Sequence, residues 1–317
     1  MTNRLYRTKY GEYIIGDSLK LLANGLKKKL KDKVQLIITS PPFPLNKKKK
    51  YGNLQGSEYK EWLSQFAIVF SDLLKKDGSI VIELGNSWEP NRPVQSLLHL
   101  ESLIEFKKNG HLNLCQQFIC YNPSRLPSPA AWVTVNRIRT IDSFTHVWWL
   151  SKTDNPKADN RKVLRPYSKS MLDLLKNQKY NSGVRPSEHR ISKTSFLKKH
   201  GGSIMHNVIE LDRMDENRDP RLPNNVLSFA NTNSNDHYLQ ECRKRSLKPH
   251  PARMPAKLVS FFVEFLTDPG DLVLDPFAGS NTTGFVAESL KRKWVSVEID
   301  TKYGEQSMLR FDKKSLV

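Results

Sequence analysis

Two kinds of apolar run alternate along this chain. Short, largely apolar ones, at residues 34–39 and 79–84, read as strands, the first covered on both faces. Longer ones repeat every three or four positions. Between Tyr59 and Leu74 the stripe Trp62, Phe66, Val69, Phe70 and Leu73 predicts a helix lying on a sheet. Further strands are predicted at residues 12–15, closing on Gly16-Asp17, and at 112–120 and 144–150. A lysine-rich helix with Leu21, Leu22 and Leu26 joins the first strand to the second. Near the C-terminus a helix carries Leu258, Val259, Phe262 and Phe265. A strand (272–274), a loop, a helix (285–290) and a strand (294–299) complete the chain.

Strands alternating with helices predict an α/β doubly wound sheet. The alternation fades after Lys152. Residues 152–200 hold 13 Lys or Arg against 4 Asp or Glu, and Gly, Pro, Ser and Asn punctuate them. Three regions follow: 1–151, 152–248 and 249–317.

At 317 residues the chain can bury a proper core. A formal net charge of +19 favours a polyanionic partner without separating DNA from RNA. No apolar stretch approaches the roughly 20 residues that span a membrane, and the first residues lack the apolar core of a signal peptide. Cys115, Cys120 and Cys242 are too few and scattered for a disulfide framework or a zinc site, so no metal is expected and the expected compartment is the reducing cytoplasm.

Two segments carry candidate chemistry. Thr39-Ser40-Pro41-Pro42-Phe43 follows a predicted buried strand. Consecutive prolines donate no backbone hydrogen bonds and hold the chain extended, leaving carbonyls such as that of Pro41 free to face a ligand. With the Ser40 hydroxyl before them and the Phe43 ring after, they make a stacking slot lined by acceptors, suited to a planar base with an exocyclic amino group. In the second segment a strand ends in Asp275, a loop containing Gly279 and Gly284 turns onto a helix, and the next strand ends in Glu298, 23 residues on. Paired acids around such a loop match nucleoside binding, the second accepting from ribose hydroxyls. The loop is neither GxGxxG nor a Walker motif, which disfavours a phosphate-bearing cofactor and a nicotinamide dehydrogenase. Asp275 could pair with a cationic amino group, as in S-adenosylmethionine.

Ser-Pro-Pro-Phe early, Asp-Pro-Phe-Ala-Gly-Ser late and a basic segment between them resemble the beta-class amino-methyltransferases of DNA, and within these the PvuII-type modification enzymes. The resemblance runs through residues 49–53, 122–129, 147–149, 185–187 and 250–253. It implies a Rossmann-like S-adenosylmethionine-dependent methyltransferase sheet with permuted motif order and an inserted target-recognition region. The catalytic tetrad would be Ser40, Pro41, Pro42 and Phe43. Serine at its first position resembles the branch that methylates N4 of cytosine; Asp there is usual for N6 of adenine. The cofactor would meet Asp275, Phe277, Ala278, Gly279 and Ser280 at its methionine end, Glu298 at the ribose, and Asp17 and Ile299 near the adenine, with Thr39 lining the passage between the pockets. Lys47, Lys48, Lys49 and Lys50 are candidates to clamp phosphates, and Arg185, His189, Arg190 and Lys193 to contact bases or phosphates of double-stranded DNA. Trp148 and Trp149 read as core, and His250 as a turn residue.

The implied activity is modification of DNA by base flipping, in a restriction–modification system whose endonuclease need not touch this chain. A monomer suffices, since each strand of a palindrome is modified in turn. Adenine-N6 or RNA amino-methylation, and a catalytically silent binder on the same fold, are the alternatives.

Overall fold

The computed structural model describes residues 3–43, 54, 56–210 and 236–316. A nine-stranded sheet runs through them. In chain order its strands are β1 (Asn3–Arg7), β2 (Gly11–Ile15), β3 (Val34–Thr39), β4 (Leu74–Gly85), β5 (Asn113–Tyr121), β6 (Phe144–Ser151), β7 (Val208–Glu210), β8 (Leu272–Asp275) and β9 (Lys293–Glu298). Side by side they run β1-β2-β9-β8-β3-β4-β6-β5-β7. The five strands from β2 to β4 in this order are mutually parallel. β1 and β6 flank them in antiparallel fashion. β8 and β9, from the last part of the chain, lie between β2 and β3, so the first and third regions build one sheet.

Every residue of β3 is buried, the polar Gln35 and Thr39 included, as a largely apolar run between two layers predicts. Its side chains feed two cores, Leu36 and Ile38 on one face of the sheet and Val34 and Ile37 on the other. Helices α1 (Gly56–Leu73) and α2 (Leu98–Asn109) cover the second face through Phe66, Phe70 and Phe106. In the middle region lie α3 (Lys169–Asn177) and α4 (His237–Lys244). The first face is covered by α5 (Ala256–Leu266) and α6 (Thr282–Ser289), through Phe262, Val263, Val286 and Ala287. Trp148 and Trp149 are both buried, one toward each core.

The pattern missed or blurred several elements. β1 reads Asn-Arg-Leu-Tyr-Arg and buries only Tyr6, which stacks on Tyr13 with ring centroids 5.1 Å apart. An edge strand this polar carries no alternation to detect. The lysine-rich helix is broken into Ser18–Lys20, a wider turn at Leu21–Gly25, and Lys27–Leu30, while Leu22, Leu26 and Leu30 keep one buried stripe. Several contacts tie the middle region to the main body, those of Lys157 to Asp268 and Asp271 among them. β7 pairs in parallel with β5, and Asp236, at the start of α4, meets Arg310 at 3.6 Å.

Candidate active site

The five parallel strands all end at one edge, and each delivers a chemically distinct group there. In spatial order these are Gly16-Asp17 after β2, Glu298 on β9, Asp275 on β8, Thr39-Ser40 at the end of β3, and Glu83 on β4. With strands about 4.8 Å apart, four intervals span roughly 19 Å, the reach of an extended nucleoside with a side arm. Carboxyl ends of parallel strands are where open α/β sheets bind ligands. A cavity of about 500 Å³ opens here, lined by Asp17, Ser40, Asp275 and Glu298 among others.

On one side the loop after β8 is held from below. Asp275 is 3% exposed and accepts hydrogen bonds from Thr39 Oγ1 (2.8 Å), Thr283 Oγ1 (2.6 Å) and the Phe277 amide (3.1 Å). Burial outweighs these donors and pushes its carboxyl up to about 6; the nearby Glu298 adds to the rise. Among the described residues its hydrogen-bond donors are two hydroxyls and an amide, all neutral. Glu298 accepts from the amides of Gly279 (2.8 Å), Ile299 (3.0 Å) and Asp300 (3.0 Å), and burial raises its pKa as well. Arg310 closes the far side of the loop, donating to the Ser280 carbonyl at 2.6 Å and to its hydroxyl at 3.0 Å. Gly279 sits at φ +48°, and a Cβ there would come within 3.0 Å of His250 Nε2. The glycine is needed both for its backbone and for the histidine that leans on it.

On the other side Ser40 and Glu83 face each other across neighbouring strands. The Ser40 hydroxyl donates to the Glu83 carboxyl, and Thr145 Oγ1 donates to it at 2.9 Å. Glu83 is 7% exposed, and burial lifts its pKa to about 7 against these donors and the Arg125 charge. The Phe43 ring lies over Gly85, where a Cβ would meet it at 2.8 Å. Phe277 packs on Trp62 and Phe66 of α1, with centroids 5.5 and 5.1 Å away, giving the cavity an aromatic wall. The hydrogen bond from Thr39 to Asp275 ties the two sides together.

With this geometry in hand, the similarities to known proteins are specific. Residues 34–309 match the DNA methylase family of N6 and N4 methyltransferases. The chain is 42% identical over 308 residues to the type II methyltransferase M.PvuII of Proteus hauseri, covering 96% of this chain and 85% of that one. This chain belongs to the DNA methylase family. Its structure superposes on that of the PvuII DNA methyltransferase (cytosine-N4-specific) with a TM-score of 0.74 and 35% identity, covering all of this chain and 91% of the other. The M1.HpyAVI–SAM complex shares the fold, with a TM-score of 0.51 at 17% identity and 95% of this chain covered.

The structure of this DNA methylase brings Ser40, Pro41, Pro42 and Phe43 into one cavity with Asp17, Asp275, Phe277, Ala278, Gly279, Ser280, Glu298 and Ile299. Thr39 lies beneath, buried against Asp275. Ile299 is 67% exposed at the cavity rim, so it is a wall residue and not core. Arg185 and His189 sit in the turn of a small hairpin, the Arg185 amide donating to the His189 carbonyl at 2.9 Å; Arg190 belongs to its second strand, and Lys193 follows, exposed. Lys47, Lys48, Lys49 and Lys50 fall outside the described residues.

Several groups in or beside the cavity went unnoticed in the sequence. Glu83 had a usable signal, being an acid directly after the apolar run at residues 80–82 and before Leu84. Arg125 stands within residues 122–129, which carry the resemblance, but no role followed from it, and Gly85 had no signal, because their partners are distant in sequence. His250 reads as a turn residue, yet it lines the cavity between Gly279 and Tyr303, whose ring lies 4.2 Å from its own.

Proposed function

We propose that this DNA methylase transfers a methyl group from S-adenosylmethionine to the exocyclic N4 of a cytosine flipped out of duplex DNA. One observation carries the reading: an acceptor-rich Ser-Pro-Pro-Phe slot and a buried acid held by neutral donors end neighbouring strands of one cavity, bridged by Thr39. The pocket suits the cofactor on its own terms. Asp275 is ionised at a cost that a positively charged ligand group would remove. Gly279 keeps the loop backbone open to a nucleoside. Asp275 with Phe277, Ala278, Gly279 and Ser280 would hold the methionine end, Glu298 the ribose hydroxyls, and Asp17, Ile299 and His250 the adenine end. When bound, S-adenosylmethionine supplies an activated methyl group.

The chain's own residues do the rest by positioning and proton handling. Phe43 stacks on the base. Ser40 and the Pro41 carbonyl accept from the amino protons and draw the nitrogen lone pair out of conjugation with the ring. Glu83, reached through the Ser40 hydroxyl and titrating near neutrality, takes the proton that the amino nitrogen must lose. Residues 1–151 form the catalytic half, 152–248 the target-recognition region with Arg185, His189, Arg190 and Lys193 toward DNA, and 249–317 the cofactor half. The protein acts in the cytoplasm as a monomer, protecting sites from a companion endonuclease. Incubation with unmethylated genomic DNA and methyl-labelled S-adenosylmethionine, followed by nucleoside analysis, tests the reaction. N4-methylcytosine is expected; N6-methyladenine would overturn the meaning given to Ser40.

A further inference from the structure

Acceptors alone cannot tell cytosine from adenine. Both bases present an amino donor beside a ring-nitrogen acceptor. They differ at the next position, where cytosine has the O2 acceptor and adenine a C–H. Ser40, Glu83 and the prolines address the amino group alone. Discrimination by polar contact therefore requires a donor on the same side of the cavity.

Arg125 supplies one. It lines the cavity, and its charge acts on Glu83, which places it on the catalytic side. Its backbone is fixed by a turn in which the Ser124 amide donates to Asn122 Oδ1 at 3.0 Å and the Arg125 amide to the Asn122 carbonyl at 3.2 Å. Among the described residues its side chain makes one hydrogen bond, from Nη1 to the Phe144 carbonyl at a long 3.3 Å. Guanidinium carries five N–H donors and stays charged, so the fork has donors to spare for a base edge. We propose that Arg125 is the specificity residue of the base pocket, donating to O2 of the target cytosine and so selecting it over adenine. The assignment rests on the amino-methyltransfer reading above.

The chemistry gives this contact a kinetic signature. A donor at O2 favours delocalisation of the amino lone pair into the ring, and that delocalisation is lost as the nitrogen attacks. The contact is stronger before the transition state than in it, so it holds the base without speeding the chemical step. The test uses the full-length protein and a duplex carrying the site at which the wild type deposits its label, with the target kept as cytosine or replaced by adenine. Arg125→Ala is expected to lower kcat/KM for the cytosine duplex about 10- to 100-fold, mainly through KM, with little change on the adenine duplex. Arg125→Lys, with its charge but not its fork, should restore the salt dependence of binding and only part of the discrimination. Cofactor affinity and melting temperature should be unchanged. Equal losses on both duplexes would make Arg125 a phosphate contact and overturn the proposal; so would a fall in kcat at constant KM, measured at a pH high enough that Glu83 is ionised with and without the Arg125 charge. A wild type that yields no N4-methylcytosine overturns the site reading itself, and Arg125's role with it.

Discussion

Asp271 and Asp275 lie four residues apart, at the two ends of β8, and the protein treats them in opposite ways. Burial would raise both. At the amino end Lys157 (2.7 Å) and Lys75 (2.8 Å) answer Asp271 and hold its pKa below the usual carboxylate range. Asp268 beside it is drawn down to about 2 by Lys157 and Lys162. At the carboxyl end Asp275 has neutral donors only and rises to about 6, and Glu83 two strands away rises to about 7. One edge of the sheet neutralises its acids internally. The other leaves both acids raised by burial, Asp275 among neutral donors and Glu83 in spite of the Arg125 charge, so that a cationic ligand group beside Asp275 would be stabilising.

The largest effect should come from removing the proton acceptor at the active edge. Glu83→Gln keeps the shape and the Ser40 contact but cannot take a proton. Turnover should fall about 10²- to 10⁴-fold with cofactor affinity unchanged, measured by single-turnover methyl transfer and calorimetry. Ser40→Ala should lose turnover in the same pattern. A Glu83→Gln enzyme that keeps wild-type turnover would leave the raised acid without a function.

Asp275 gives the next effect, in binding. Asp275→Asn should weaken S-adenosylmethionine about 10- to 100-fold, since a charge-assisted contact becomes a neutral one. The pH dependence has a definite sign. A carboxyl that titrates near 6 is protonated below that pH, and a cationic ligand prefers it ionised. Wild-type affinity should therefore be level above about pH 6 and fall as pH drops below it, while the Asn variant stays flat. Stability without ligand carries the converse sign: a folded-state pKa above the unfolded value makes this group destabilising as pH rises from about 4 to 6. Titration calorimetry across pH 5 to 8 checks the first statement.

What the sequence disclosed follows the same division. The cofactor edge was legible because Asp275, the Gly279 loop and Glu298 are contiguous in the chain, and one strand–loop–helix–strand unit fixes their geometry. Ser40 was legible because prolines leave a local mark. The catalytic wall was not, since Glu83, Arg125 and Gly85 gain meaning only when β3, β4 and the segment before β6 are side by side. Gly85 can be tested directly: in Gly85→Ala the new methyl would displace the Phe43 ring, raising KM for DNA several-fold while cofactor affinity holds.

The smallest effect belongs to the opposite edge. Lys157→Ala removes contacts to Asp268 and Asp271, both at 2.7 Å. Asp268's side chain is half exposed, so solvent screens most of its pairing, and the cost in stability should be about 1 kcal/mol, roughly 2 °C in melting temperature. Because Asp268 titrates near 2, below its unfolded value, its share of that stability is present above about pH 4 and lost as pH falls toward 2. The gap in melting temperature between wild type and variant should close over that window, with methyl transfer at neutral pH unaltered. A Lys157→Ala enzyme that melts normally but loses cofactor affinity would erase the distinction between the two edges, because the lysines would then be serving the ligand and not the sheet.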